Sequence, residues 1–206
     1  MMIGARTAAW SGKRLPYDAE VEYLESTGTQ YVETEVTRGQ TSQLRLQSTM
    51  SFSGSASANA FGWGQTLSGP CVGIKSAQPY MYFNLTGSDE YSTLTYTANT
   101  VVTIDIDGAS GKVTINDGTT TYTATRAVST WTGSGEMVLF GFTNSAGIQP
   151  RNQRIYACKI YVNGVLVRDY IPVRKGTVGY LYDSVSGKLF GNAGTGAFII
   201  GPDKTT

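Results

Sequence analysis

Apolar and polar residues alternate with a period of two along most of this chain. The pattern is clearest from Arg154 to Val173, RIYACKIYVNGVLVRDYIPV. Two alternating runs flank Asn163-Gly164. Asn-Gly is the strongest short hairpin signal, because a two-residue type I′ turn needs positive φ at both positions. Such a turn also sets the register: Val162 should face Val165, Ile160 should face Val167, and Cys158 should face Asp169. Cys158, Ile160, Val162, Val165, Val167 and Ile171 then share an apolar face. Lys159, Tyr161, Leu166, Arg168 and Tyr170 share a mixed face suited to solvent. One face in and one face out is the pattern of an antiparallel sheet on a single core.

The same period predicts strands through the rest of the chain. Glu20 to Glu25 alternates, Ser26-Thr-Gly-Thr turns, and Gln30 to Val36 continues. Gln43 to Phe52 carries Leu44, Leu46 and Met50 as its core set. Phe61-Gly-Trp-Gly, Cys71 to Ile74 and Tyr80 to Leu85 read as short strands between loops. Val101 to Asp107, Lys112 to Asn116 and Thr119 to Thr125 form a meander through turns at Gly108–Gly111 and Asp117-Gly118. Glu136 to Phe142 is the last strand before a loop at 143–152 that leads into the hairpin. No segment sustains a 3.6-residue period. Strands at about 8–12-residue spacing with Gly, Asn and Asp turns predict an all-β sandwich or barrel. The expected organisation is an N-terminal arm, residues 1–16, followed by one β domain, residues 17–206.

Composition narrows the function classes. The 206 residues suit one β-sandwich unit and can bury a proper core. Charged residues are only 15%, and Tyr alone numbers 13. A net charge of +1 gives no electrostatic case for nucleic acid or an acidic membrane as partner. No run approaches ~18 apolar residues, so no helical membrane span is expected. The N-terminal MMIGARTAAWSGK lacks the apolar core of a secretory signal. A chain without that signal is expected either to stay inside the cell or to leave by another route.

Histidine is absent, which removes the commonest general base and the commonest zinc ligand. Serine and cysteine nucleophile schemes lose their partner with it. Cys158 falls on the apolar hairpin face, which favours a buried free thiol over a disulfide to Cys71. Asp105 and Asp107 share a strand face two residues apart. A solvated strand face accounts for them more simply than a metal or catalytic role. The carboxylates that could hold a hard ion such as calcium are Asp89 and Glu90 in a loop, or Asp105, Asp107 and Asp117 at strand ends. No spacing there resembles a dedicated calcium loop, and no cofactor is expected.

Two end motifs carry a family resemblance. One is Val21-Glu-Tyr-Leu-Glu-Ser-Thr-Gly-Thr-Gln-Tyr-Val. The other is the hairpin with DYIPV, followed by Gly179-Tyr-Leu-Tyr-Asp, Ser186-Gly-Lys-Leu-Phe and Asn192-Ala-Gly-Thr-Gly. Together they resemble the concanavalin A-like lectin/glucanase (LamG-like jelly-roll) domains of gut-bacterial surface proteins and phage or prophage proteins. The resemblance spans about residues 20–202 and implies an antiparallel two-sheet β-sandwich, a jelly roll. The glucanase branch uses a Glu-x-Asp-x-x-Glu pattern. The nearest segment here, Ile104-Asp-Ile-Asp-Gly, has no Glu, which argues against hydrolysis.

The resulting expectation is a non-enzymatic carbohydrate-binding or adhesion domain. Sugar rings need flat aromatic platforms beside amides and carboxylates. Trp63, Tyr80, Tyr82 and Trp131 are the aromatic candidates, with Asn84 and Asn144, and also Asp89, as polar companions. The alternative is a structural virion protein, a capsid decoration, head-fibre or tail component. There Arg6, Trp10 and Arg14 of the arm would dock on another subunit, because an exposed Trp favours a partner. Expected partners are a glycan, other virion or surface proteins, or further copies of the chain.

Overall fold

The structure is a computed structural model that describes residues 15–53, 59–62, 71–74, 80–84, 90–127, 132–144 and 147–205. These form an all-β protein in which every strand pairing described is antiparallel. No helix among the described residues is long and apolar enough to cross a membrane.

With strands numbered in chain order, an 11-stranded sheet dominates the fold. Its path runs β11 (Thr121–Thr125), β10 (Lys112–Asn116), β9 (Val102–Asp107), β4 (Leu44–Phe52), β15 (Asn152–Val162), β16 (Val165–Lys175), β17 (Val178–Asp183) and β18 (Lys188–Phe190). β2 (Leu24–Thr27) pairs with β15 and with β19 (Ile199–Ile200), and β1 (Ala19–Glu20) pairs with β16. A second sheet has the order β5 (Asn59–Gly62), β6 (Cys71–Ile74), β7 (Tyr80–Asn84) and β8 (Glu90–Thr95). β3 (Val32–Gln40) pairs with β12 (Thr132–Leu139), and β13 (Gly141–Asn144) with β14 (Gly147–Pro150). One hydrophobic cluster joins Leu46, Ile104 and Ile160 of the large sheet to Val36 of β3, Leu139 of β12 and Phe83 of β7.

The hairpin forms at Asn163-Gly164, with φ of 50° and 77° at the two positions. Val162 faces Val165 and Tyr161 faces Leu166, as a two-residue turn requires. The register then shifts, so that Ile160 faces Arg168 and Cys158 faces Tyr170, not Val167 and Asp169. Val167 is the extra residue of a β-bulge, and one inserted residue exchanges the faces of everything beyond it. Tyr170 is consequently in the core where Ile171 was expected, and Arg168 turns toward β3. The Tyr170 ring meets Phe190 edge-on at 5.2 Å, and its hydroxyl donates to the Thr34 carbonyl at 3.3 Å.

Other expectations need correction. The strand expected over 20–25 is divided into β1, a bridge from Val21 to Asp203, and β2. The strand expected over 30–36 begins at Val32 and runs on to Gln40. The strand expected over 136–142 starts earlier, as β12, and breaks at Phe140, which has φ 63°. The loop expected at 143–152 contains β14, which folds back on β13. At Gly141 a side chain would lie 2.5 Å from the Gln149 carbonyl oxygen, so that close return needs glycine. β8 has no counterpart in the sequence reading. The meander of β9, β10 and β11 forms as expected, with Val102, Ile104, Ile106, Val113 and Ile115 buried.

Both cysteines are buried, and they are not joined in a disulfide. Burial pushes the Cys158 thiol far up, against a smaller opposing contribution from Ser48, so it is held as the neutral thiol at neutral pH.

The two end motifs interlock. Ala193 and Thr195 donate backbone N–H groups to the carbonyls of Tyr31 and Thr29, at 2.9 and 3.1 Å. The Asn192 side chain accepts from Tyr31 N–H at 3.2 Å and from Gly194 N–H at 2.8 Å. Between β17 and β18, the buried Asp183 carboxylate accepts from the N–H groups of Asp169, Val185 and Ser186 and from the Ser186 hydroxyl. These motifs hold turns and strand ends together.

Candidate functional site

The outward face of the large sheet is built by the same alternation that fills the core. β4 sends Leu44, Leu46, Met50 and Phe52 inward, which leaves Arg45, Gln47 and Thr49 outside. β9 likewise presents Thr103, Asp105 and Asp107, and β10 presents Thr114. β15 shifts register between Ile155 and Ala157, and beyond that point Ala157, Lys159 and Tyr161 face outward.

Register then aligns polar residues across six strands. Asp169 faces Lys159, Lys159 faces Gln47, Gln47 faces Asp105, Asp105 faces Thr114, and Thr114 faces Thr123. The row below it sets Tyr161 opposite Arg45 and Arg45 opposite Asp107. Ala157, Thr49 and Thr103 make the row above. Small side chains in that row beside long ones in its neighbours leave an open depression of about 360 Å³. Gln47, Thr49, Thr103, Asp105, Thr114, Ala157 and Lys159 are among its lining residues.

Its polar groups are linked. Arg45 grips Asp105 through two hydrogen bonds, Nε to Oδ1 at 2.9 Å and Nη2 to Oδ2 at 2.6 Å. Gln47 Nε2 donates to the same carboxylate at 2.9 Å, and the Tyr161 hydroxyl donates to Gln47 Oε1 at 3.1 Å. The Arg45 guanidinium lies 5.6 Å from the Tyr161 ring centre, which closes the circuit. Lys159 approaches Asp169 at 3.7 Å. Partial burial pushes the Asp105 carboxyl up, but the Arg45 and Gln47 hydrogen bonds and the Arg45 and Lys112 charges outweigh it. The net result holds Asp105 below the ordinary carboxylate range, ionised at neutral pH. Such a surface offers a fixed anion, planar donors and a tyrosine ring side by side. That is chemistry suited to polyhydroxylated ligands.

The residues expected from sequence are placed differently. Tyr80 is 40% exposed at the start of β7, opposite Thr95, and is not among the residues that line the depression. Tyr91, on the neighbouring β8, is exposed as well. Tyr82 pairs with Gly73 and Tyr91 through the backbone, Asn84 with Cys71, and Asn144 with Gly147. Trp63, Trp131, Asp89 and the arm residues Arg6, Trp10 and Arg14 lie outside the described residues. Asp105 was singled out, but as a solvated strand residue. Arg45, Gln47, Lys159 and Tyr161 were missed as site residues, because they meet Asp105 only through pairing between strands far apart in sequence.

The calcium candidates serve local structure. Asp107 accepts from Ala109 N–H and the Ser110 hydroxyl, Asp117 from the N–H groups of Thr119 and Thr120, and Glu90 pairs with Arg126. Among the described residues no group of three His, Cys, Asp or Glu is placed to hold a metal ion. No protein-family model matches the sequence, and no curated protein matches it either.

Proposed function

We propose that this protein is a non-catalytic carbohydrate-binding or adhesion domain, a concanavalin A-like jelly-roll β-sandwich displayed on a phage particle or a cell surface. The observation that carries the reading is the depression lined by Asp105 and Gln47, with Arg45 and Tyr161 joined to those two residues by hydrogen bonds. A carboxylate held ionised and a guanidinium beside it complement the paired hydroxyls of a sugar, and the tyrosine ring complements its apolar face. The absence of catalysis is supported by the engagement of the two aspartates. Asp105 is tied to Arg45, and Asp107 to its own turn, so neither is poised as an acid. A glycan array tests the proposal. Wild-type protein should bind at least one glycan class, and Asp105→Ala and Tyr161→Ala should each weaken that binding about tenfold or more. An array without hits, or undiminished binding by both variants, would overturn it.

A second reading, a structural virion protein, is favoured by the root of the N-terminal arm. Asp18 N–H donates to the Arg174 carbonyl at 2.9 Å, and the Asp18 carboxylate accepts from Gly176 N–H at 2.7 Å. Leu15 beside it and Val178 in the adjoining strand are both more than half exposed, at 54% and 51%. Apolar side chains displayed where an arm leaves the fold suit docking on another subunit.

A further inference from the structure

Arg38 stands apart from the site described above. It lies near the end of β3, on the side of the strand that carries Val32, Thr34 and Val36 into the core, and it is only 7% exposed. Its Nη2 donates to the Ser134 carbonyl. Its Nε and Nη1 are buried without a hydrogen-bond partner. Burial pushes the guanidinium down. Five other arginines behave differently: Arg45, Arg126, Arg154, Arg168 and Arg174 each meet a carboxylate.

A buried guanidinium with most of its donors unmet is costly, because both its charge and its N–H groups are taken out of water. Pairing of β3 with β12 is regular at Gly133–Gly39 and resumes at Glu136–Thr37, so Ser134 and Gly135 form a bulge opposite Arg38. That bulge is exposed, and Gly135 sits at φ 78°. A side chain at Gly135 would lie 3.2 Å from Arg38 Nη2. The exposed Gly135 of the bulge thus lies directly against the guanidinium.

We infer that Arg38 and the Ser134–Gly135 bulge form a binding site for a small oxyanion, either a tetrahedral inorganic anion or the carboxylate of a sugar acid. Planar guanidinium donors match both, and an anion supplies the charge that water cannot. The inference does not depend on the glycan reading of the large sheet.

Full-length protein should be titrated with sulfate and, separately, with glucuronate. Concentrations up to about 10 mM keep solute-exclusion effects small, and ionic strength is held constant with sodium chloride. Wild type should show a saturable rise in melting temperature with at least one anion, roughly 3–6 °C at tenfold excess over Kd. Arg38→Met should show no such rise, and in chloride alone it should melt no lower than wild type. A response to sulfate identifies the inorganic ion, and a response to glucuronate the sugar acid. If neither anion shifts the wild type, or if Arg38→Met responds equally, the inference fails. Should Arg38→Met not fold, Arg38→Lys decides: it keeps the charge but loses the planar fork, so an undiminished response would also overturn the site.

Discussion

Asp105 shows how a single side chain can be shared between stability and recognition. Its carboxylate is held by Arg45 and Gln47, and its acidity is raised in the folded state. The sign of the linkage follows. A carboxyl whose folded pKa lies below its unfolded value adds stability above the unfolded value of about 3.9, and that stability is lost as pH falls through the folded value. Arg45 is partly solvated, so the contribution is modest, about 0.5–1 kcal/mol. Asp105→Asn should therefore melt roughly 1–4 °C below wild type at pH 7. The gap should close as the pH is lowered below the ordinary carboxylate range. Thermal unfolding of both proteins across that range checks it. A constant gap at all pH values would mean that the loss is one of packing and not of charge.

At the scale of elements, the two end motifs act as one clasp. Gly194 packs against the Thr29 carbonyl oxygen so closely that a side chain there would collide with backbone. Backbone cannot swing aside as a flexible side chain can. Gly194→Ala should therefore cost about 1–3 kcal/mol, a fall of roughly 2–12 °C in melting temperature, measured by circular dichroism. The turn residues of this clasp and of the Asn163-Gly164 hairpin were legible in the sequence, because positive φ and side-chain-to-backbone hydrogen bonds restrict residue choice locally. The bulge at Val167 was not. A period of two carries no mark of one inserted residue when the residues on either side of the exchange, Tyr170 and Ile171, are both fit for a core. β8 escaped notice for a related reason: its inward residues are Ser92 and Leu94, a single large apolar residue in six. The polar row of the large sheet was illegible because it depends on which strands become neighbours. Gln47, Asp105 and Lys159 are brought together by topology, and alternation within any one strand says nothing of that.

For the whole molecule, the open question is whether the domain works alone or in an assembly. Light scattering on full-length protein and on protein lacking residues 1–16 separates the two readings. The virion reading expects a trimer or larger assembly that dissociates when the arm is removed. The binding-domain reading expects a monomer in both forms. The alternation along β4 and β9 turns the polar face of the large sheet outward in the single chain. The same topology has a consequence for synthesis. β2 is made early, yet both its partners, β15 and β19, are made after residue 150. At roughly 5–20 residues per second, a ribosome needs about 6–25 s to travel from β2 to β15. Throughout that interval Leu24 and its neighbours have no sheet to join. Pairing of β2 therefore waits for the strands beyond residue 150, and the closing of this part of the sheet is timed by their arrival.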